Sequence, residues 1–425
     1  MAASVVPKVA FVNLGCRVNR VEIDSIAAHL EKVGCAITAP KEAQAIVVNT
    51  CAVTGEAEAK TRKQLRRAAR LAQHPQVFAT GCVANLFSDE LSSLAENIEV
   101  IQQKDTVAQR VLDYLGVPDV ETHRVADTSV TPTGRARPGI KVQDGCDNRC
   151  SFCIVWKARG KGRSADVQKV LNQVNDELAR GAQEIVLTGI NLGRYHSVDG
   201  QGHELFLPDL MELILQETPI ARLRLSSIEP PDVDEQLISV MREHPSRIAP
   251  FLHICLQSGC DAVLRRMKRP YSAGQYRERV EMLRAQVPSL ALGCDLIVGF
   301  PGETDEEFEE SYEFCREMHF AKMHIFRYSE RPGTIAAELP DQVPPQVMSA
   351  RAAKMKELAN SMRHAEAEKL VGTQQDLLIE GAGQGITAGL FEVKVPDSWG
   401  ADRFVRATIQ AVEDDGALVA ARAPH

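Results

Sequence analysis

No run of about 18 apolar residues occurs anywhere in the chain, and its start, MAASVVPKVAFVNLGC, carries no charged leader ahead of an apolar stretch. A cytoplasmic protein without a membrane role is therefore expected. Aromatic residues are scarce, at 5%. With 44% hydrophobic and 25% charged residues the composition is that of an ordinary globular protein. Positive charge is not in surplus either: the formal net charge of -8 excludes a protein that coats nucleic acid indiscriminately and confines any RNA contact to a local basic patch. At 425 residues, two or three domains are expected.

What is abundant is cysteine. Eleven cysteines in a chain read as cytosolic are kept reduced, and an odd total fits metal binding or catalysis better than disulfides. Three apolar, β-branched runs each stop at one of them: KVAFVNLGC at Cys16, AIVVNTC at Cys51 and QVFATGC at Cys82. Between the first two, Ile23, Ile26, Ala27, Leu30 and Val33 follow helical spacing up to Gly34, and GEAEAKTRKQLRRAARLAQ fills the second gap with another helical pattern. Strand, helix, strand, helix, strand predicts a parallel sheet with right-handed crossovers, which places all three cysteines at its carboxyl edge, where open α/β sheets bind ligands.

A Pro-, Gly- and Thr-rich linker is expected at 121–138, separating an N-terminal domain, 1–120, from a central domain, 139–366. In the latter, six strand candidates alternate with helical stretches: GIKVQ, EIVLTG, ARLRLSS, FLHICLQ, LALGCDLIVGF and KMHIFRYS. Six β/α units predict a partial barrel. The helix after Val347 is half charged and expected to face solvent, and the tail, 367–425, reads as a small β-barrel.

The stretch DGCDNRCSFCIVW places Cys146, Cys150 and Cys153 at C-x3-C-x2-C spacing. Three thiolates on a four-iron four-sulfur cluster leave one iron without a protein ligand, and an open coordination position is what a chemically active metal needs. That iron can chelate S-adenosylmethionine (SAM), whose sulfonium an electron from the cluster then cleaves. A Cys3His zinc site or plain surface thiols are the alternative. GFPGET lacks the lysine and hydroxyl of a phosphate loop, and Thr304 with Glu307 reads instead as a helix capping box.

The spacing, with Phe152 before the last cysteine, resembles the radical SAM superfamily. LGCRVNRVE, VVNTCAVT, TGC, RGKGRS, LTGINLG, LSSIEP, LQSG, IVGFPGET and YSERPGT, in that order, extend the resemblance over nearly the whole chain to the methylthiotransferases. LGCRVN with NTCAVT looks most like the branch that modifies threonylcarbamoyladenosine in tRNA. The resemblance implies an N-terminal parallel α/β domain, a partial (β/α)6 radical SAM barrel and a C-terminal TRAM-like β-barrel. It further implies two four-iron clusters, one on Cys146, Cys150 and Cys153 and an auxiliary one on Cys16, Cys51 and Cys82, with SAM as cofactor. Buried core thiols are the alternative for the second set.

The implied reaction inserts sulfur and methyl at C2 of the adenine, whose unactivated C–H bond no acid or base would open near neutral pH. The same chemistry on isopentenyladenosine tRNA or a ribosomal protein, or a zinc-stabilised RNA-binding module, are the rival functions. Gly189, Asn191 and Glu229 sit at strand ends where they could meet SAM, or serve as turn and cap residues. Lys60, Arg62, Lys63, Arg66, Arg67 and Arg70 make the densest basic stretch and begin just after Cys51, suited to tRNA phosphates or equally a solvated helix face. Arg159, Lys161, Arg163, Lys394, Arg403 and Arg406 are further backbone-contact candidates. A monomer using tRNA and an external electron donor is expected. Cys35, Cys255, Cys260, Cys294 and Cys315 are expected to have no ligand role.

Two departures from the family pattern stand out. Trp156 occupies a place where proline is expected, followed by Gly162 and Ala165 where polar residues are common. In the tail, Ala388, Gly389 and Leu390 replace polar and aromatic positions, which weakens the RNA-binding reading there.

Overall fold

The computed structural model describes residues 6–118, 136–401 and 403–422, so most of the linker expected at 121–138 lies outside the described residues. These divide into two compact units, Met1–Gly134 with Gly145–Asn148 and Cys153–Lys161, and Arg135–Asp144 with Arg149–Phe152 and Gly162–His425. No helix among the described residues is long and apolar enough to cross a membrane.

The first unit runs β1 (Lys8–Asn13), α1 (Arg17–Lys32), β2 (Ala36–Ile37), β3 (Ala45–Thr50), α2 (Gly55–Ala69), β4 (Gln76–Gly81), α3 (Cys82–Leu86), α4 (Ser88–Ser92), β5 (Ile98–Val100) and α5 (Val107–Leu115). Its sheet is parallel throughout, in the order β2-β1-β3-β4-β5. β3 is buried along its whole length because it is covered on both faces, as its uninterrupted AIVVNT run demands. Ile46 and Val48 meet Leu65 and Ala68 of α2, while Val47 and Phe78 meet Ile23 and Leu30 of α1 and Val111 and Leu112 of α5. Each such side chain contributes about 1.5–3 kcal/mol by leaving water. A short helix, α6 (Val155–Arg159), belongs to this unit: Ile154 and Ala158 join the core of Val48 and Val83, and Asn85 Nδ2 donates to the Ala158 carbonyl at 2.7 Å.

In the second unit all six expected strands form: Gly139–Lys141, Glu184–Thr188, Arg222–Leu225, Phe251–Ile254, Ala291–Val298 and Lys322–Arg327. They are parallel and lie in sequence order, the third continuing as Ser227–Ile228 to pair with the fourth. The first and last strands end the order, so the barrel is partial. Alternation sorts the faces: Leu252, Ile254, Leu292, Cys294 and Leu296 pack outward on Tyr276, Leu283 and Phe314 of the surrounding helices. The Thr304 capping box is present, with Thr304 Oγ1 accepting from the Glu307 amide at 3.2 Å and Glu307 Oε2 from the Thr304 amide at 3.1 Å.

One expectation changes here. The long helix, Pro345–Glu368, is not solvent-facing all round: Arg351, Met355, Leu358 and Met362, one every three or four residues, are buried, the last three in the main core. A narrow apolar stripe on a heavily charged helix is enough to dock it. The tail is a closed five-stranded barrel around Leu377, Ile379, Val393, Ile409 and Leu418. Its divergent turn has a structural cause. Leu390 is buried with φ +63°, a Cβ on Gly389 would lie 3.2 Å from Ala291 Cβ, and the Ala388 carbonyl accepts from Arg224 at 2.7 Å. Small residues therefore let this turn sit on the β/α barrel, where Glu184 pairs with both Arg222 and Arg224 in full burial.

Candidate functional site

β1, β3 and β4 are neighbours in the sheet, with Asn13 opposite Asn49 and Asn49 opposite Thr80. Their carboxyl ends deliver Cys16 at the N-cap of α1, Cys51 directly after β3 and Cys82 as the first residue of α3. The three strand-end cysteines thus share one edge, as the pattern predicted, and Cys51 lies in the electrostatic field of both others. Burial pushes the Cys51 thiol up to about 11. It also raises Cys16, against the pull of the Arg159 guanidinium. A metal bound there would have to displace protons from buried thiols.

The loops around these cysteines are fastened by polar residues that the sequence reading passed over. Asn19 Nδ2 donates to the Leu14 and Thr50 carbonyls at 2.8 and 2.9 Å, tying the ends of β1 and β3 together. Asn49 Nδ2 returns a bond to the Asn19 carbonyl at 2.7 Å. Thr50 Oγ1 accepts from the Val83 and Ala84 amides, both at 3.1 Å, and so caps the helix that Cys82 opens. Gly15 has φ +106°, and a Cβ there would stand 2.5 Å from Cys51 Sγ. The asparagines of LGCRVN and VVNTC were the available signal.

Arg159 corrects an expectation. It is buried rather than presented to RNA, donating to Glu22 Oε1 at 2.9 Å and Asn19 Oδ1 at 2.5 Å, while Lys104 pairs with the same Glu22. A cation is thereby fixed beside Cys16, in reach of any thiolate formed there.

Tight local turns flank the second set of cysteines. Gly145, at φ +73°, leaves no room for a Cβ beside the Lys161 carbonyl, and the Cys146 amide donates to Gly160 O at 3.1 Å. Cys153 Sγ accepts the Val155 amide at 3.4 Å, and Trp156 is half-buried in the first turn of α6, a position that proline also tolerates. Within the second unit, Ser151 is anchored by its amide and hydroxyl to the Met267 and Arg266 carbonyls, and Phe152 packs on a cluster containing Val263, Met267 and Phe300. Arg269, which nothing in the sequence singled out, is buried with Nη1 3.0 Å from Cys150 Sγ and Nε 3.0 Å from Tyr271 Oη. The same guanidinium pairs with Glu229, so this strand-end carboxylate is linked through one cation to a cysteine of the triad. Gly189 faces Gln143, whose Oε1 accepts the Asn191 amide at 2.8 Å. That glycine is thus needed for loop packing.

On α2, Lys60, Lys63, Arg66, Arg67 and Arg70 are exposed, whereas Arg62 is held by Glu90 through bonds of 2.5 and 3.1 Å. Arg66 lies about 16 Å along the helix axis from Gly55, at a rise of ~1.5 Å per residue. Arg66, Arg67 and Arg70 therefore stand farther along the helix from its cysteine-edge end than Lys60 and Lys63.

The partial parallel barrel with its added N-terminal α/β domain, matched along nearly the whole chain by relatives, defines a radical SAM enzyme. Residues 140–315 match the radical SAM superfamily, and residues 8–102 match a family described as uncharacterized, UPF0004. The chain is 32% identical to the threonylcarbamoyladenosine tRNA methylthiotransferase MtaB of Thermotoga maritima over 95% of this chain and 94% of that protein. It is 34% identical to the Bacillus subtilis protein of the same name, covering 88% and 85% of the two chains. This chain belongs to the radical SAM methylthiotransferase family, in its threonylcarbamoyladenosine tRNA branch, and is a transferase. Among solved structures, the radical SAM methyltransferase TsrM from Kitasatospora setae, with cobalamin and a [4Fe-4S] cluster bound, shares the fold at TM-score 0.55 and 14% identity over 78% of this chain and 77% of that one. The cobalamin-dependent radical enzyme OxsB shares it at 0.51 and 12% identity over 84% and 56%.

Proposed function

We propose that this protein replaces the hydrogen at C2 of N6-threonylcarbamoyladenosine, next to the tRNA anticodon, with a methylthio group. The observation that carries this reading is the end-to-end likeness to threonylcarbamoyladenosine tRNA methylthiotransferases. Cys146, Cys150 and Cys153 would hold a four-iron cluster with one iron left for SAM, and Cys16, Cys51 and Cys82 an auxiliary cluster. Three-thiol donor sets with a buried arginine beside each, Arg269 at one and Arg159 at the other, suit anionic cluster ligands. When bound, these groups supply the electron that cleaves SAM, the sulfur and the methyl donor.

The chain's own residues then bind and orient. Arg269 steadies the Cys150 thiolate and fixes Glu229, which takes the SAM ribose or amino group. Phe152 and the Gly189–Asn191 turn shape the SAM site. Lys60, Lys63, Arg66, Arg67 and Arg70 bind tRNA phosphates, the far end of α2 holding the more distant backbone. The protein acts as a cytoplasmic monomer with an external electron donor.

Mass spectrometry of tRNA nucleosides from a strain lacking the gene is expected to show loss of 2-methylthio-threonylcarbamoyladenosine. Loss of a different methylthio nucleoside would refute the substrate. Anaerobic reconstitution should give a brown protein with about eight irons and release of deoxyadenosine on reduction; zinc without iron would refute the chemistry.

A further inference from the structure

Away from the cysteines, the second unit gathers His253, Asp295 and His324, whose ligand atoms lie within 4.8 Å of one another. They come from three adjacent strands, Phe251–Ile254, Ala291–Val298 and Lys322–Arg327, with His253 opposite Gly293 and Asp295 opposite His324. Leu252, Ile254, Cys294, Leu296, Met323 and Ile325 face the surrounding helices, so by strand alternation the three polar residues face the barrel interior.

Asp295 Oδ1 accepts from His253 Nε2 and His324 Nδ1, each at 3.0 Å, and the two rings stack with centroids 5.1 Å apart. Burial alone would raise the Asp295 carboxyl, but the two imidazoles hold it well below the usual carboxylate range. An ionised carboxylate has no proton to give, so both rings donate, and in a neutral His324 the remaining Nε2 is an acceptor. His253 is boxed in: a Cβ on Gly293 would lie 2.9 Å from its Nδ1, and its side chain is only 8% exposed. His324 is 45% exposed.

Two residues further along the terminal strand, Phe326 points the same way and remains 37% exposed, an unusual place for a phenylalanine on an interior barrel face. Its register partner Ile297 packs on the cluster that includes Phe152. Cys255, two residues beyond His253, lies in the field of both Asp295 and Cys150. The polar group and the exposed ring are therefore on the same interior surface as the residues around Cys150.

We propose that His324 and Phe326, with Asp295 and His253 as positioning residues, form the pocket that recognises the target nucleobase. Phe326 stacks on the purine, and His324 Nε2 accepts a hydrogen bond from an N–H or O–H on a polar N6 substituent. This rests on the methylthiotransferase reading and deepens it. A threonylcarbamoyl group offers such donors in its threonine-side N–H and hydroxyl, whereas an isopentenyl chain adds none to the N6–H that both nucleosides carry.

The test measures kcat/KM of the reconstituted protein on two anticodon stem-loops of one sequence, one carrying threonylcarbamoyladenosine and the other isopentenyladenosine. His324→Leu is expected to lower kcat/KM on the first substrate roughly tenfold or more and to shrink its preference over the second by a similar factor. Phe326→Leu should lower both roughly tenfold through lost stacking, leaving the preference unchanged. His324→Gln, which keeps an acceptor, and Phe326→Tyr, which keeps the ring, should stay within about fivefold of wild type. Equal losses in these conservative variants would assign the effect to strand packing and overturn the pocket. Wild-type protein that modifies the threonylcarbamoyl substrate while both leucine variants remain within about twofold overturns the pocket alone. Wild-type protein that leaves that substrate untouched overturns the functional reading and the pocket together.

Discussion

Cys146, Cys150 and Cys153 come from one short loop, whereas Cys16, Cys51 and Cys82 share one sheet edge only because β1, β3 and β4 are neighbours in a parallel sheet. The first arrangement depends on local turns, such as Gly145 and the anchored Ser151. The second depends on the register of a buried sheet and on side chains that tie strand ends together, Asn19 above all. Each triad nevertheless has the same kind of neighbour, an arginine buried against a glutamate: Arg269 with Glu229, and Arg159 with Glu22. Two routes to three thiols converge on one electrostatic solution, a fixed cation where cluster-bound thiolates would carry negative charge.

The sharpest way to break the symmetry is to remove one thiol from each set. Cys150→Ala is expected to abolish both SAM cleavage and product. Cys51→Ala should abolish methylthio product but leave reductive SAM cleavage, each variant retaining about four of about eight irons. Iron analysis with deoxyadenosine and nucleoside chromatography checks this, and a Cys51→Ala protein that still makes product would sink the auxiliary role.

Next come the arginines. Arg159→Met and Arg269→Met each remove a buried cation from a glutamate, Glu22 and Glu229, and the Arg269 variant should lose about 3–5 kcal/mol in urea unfolding. The Arg159 loss is expected to be the smaller of the two, since Lys104 still pairs with Glu22. Equal losses would show that Lys104 does not compensate.

Gly15→Ala tests the sheet-dependent triad alone. The left-handed backbone should cost about 1–2 kcal/mol, and crowding of Cys51 Sγ should remove iron from the strand-end site while leaving the loop site filled. The smallest effect is expected on α2. Lys60→Glu with Lys63→Glu should weaken tRNA binding several-fold and flatten its salt dependence, and Arg66→Glu with Arg67→Glu less so, since the latter pair stands at the far end of the helix. Filter binding at several salt concentrations separates the two pairs, and a larger effect at the distal pair would invert the proposed docking.

Much of this was readable without coordinates, for specific reasons. β-branched runs that stop at cysteine have one reading in an alternating β/α pattern, and all six barrel strands fell where short apolar runs alternated with helical periodicity. The Thr304–Glu307 box was legible because its partners are three residues apart. Errors arose where burial is decided by distant contacts. Arg159 looked like a surface cation because nothing local shows Glu22 and Asn19 closing over it. The long helix looked solvated because four buried apolar residues are few among so many charges.

Local pattern by itself determined the parallel α/β class, the partial barrel, the strand-end placement of Cys16, Cys51 and Cys82 and the family resemblance. Those features depend on periodicity, turn chemistry and spacing, which act over a few residues. Only the tertiary structure decided that Arg269 stands beside Cys150, that Ala388 and Gly389 serve barrel packing, and that His253, Asp295 and His324 meet inside the barrel. Each of the three comes from a different strand, one residue apiece, and strand order and register, which short-range pattern does not encode, place them together.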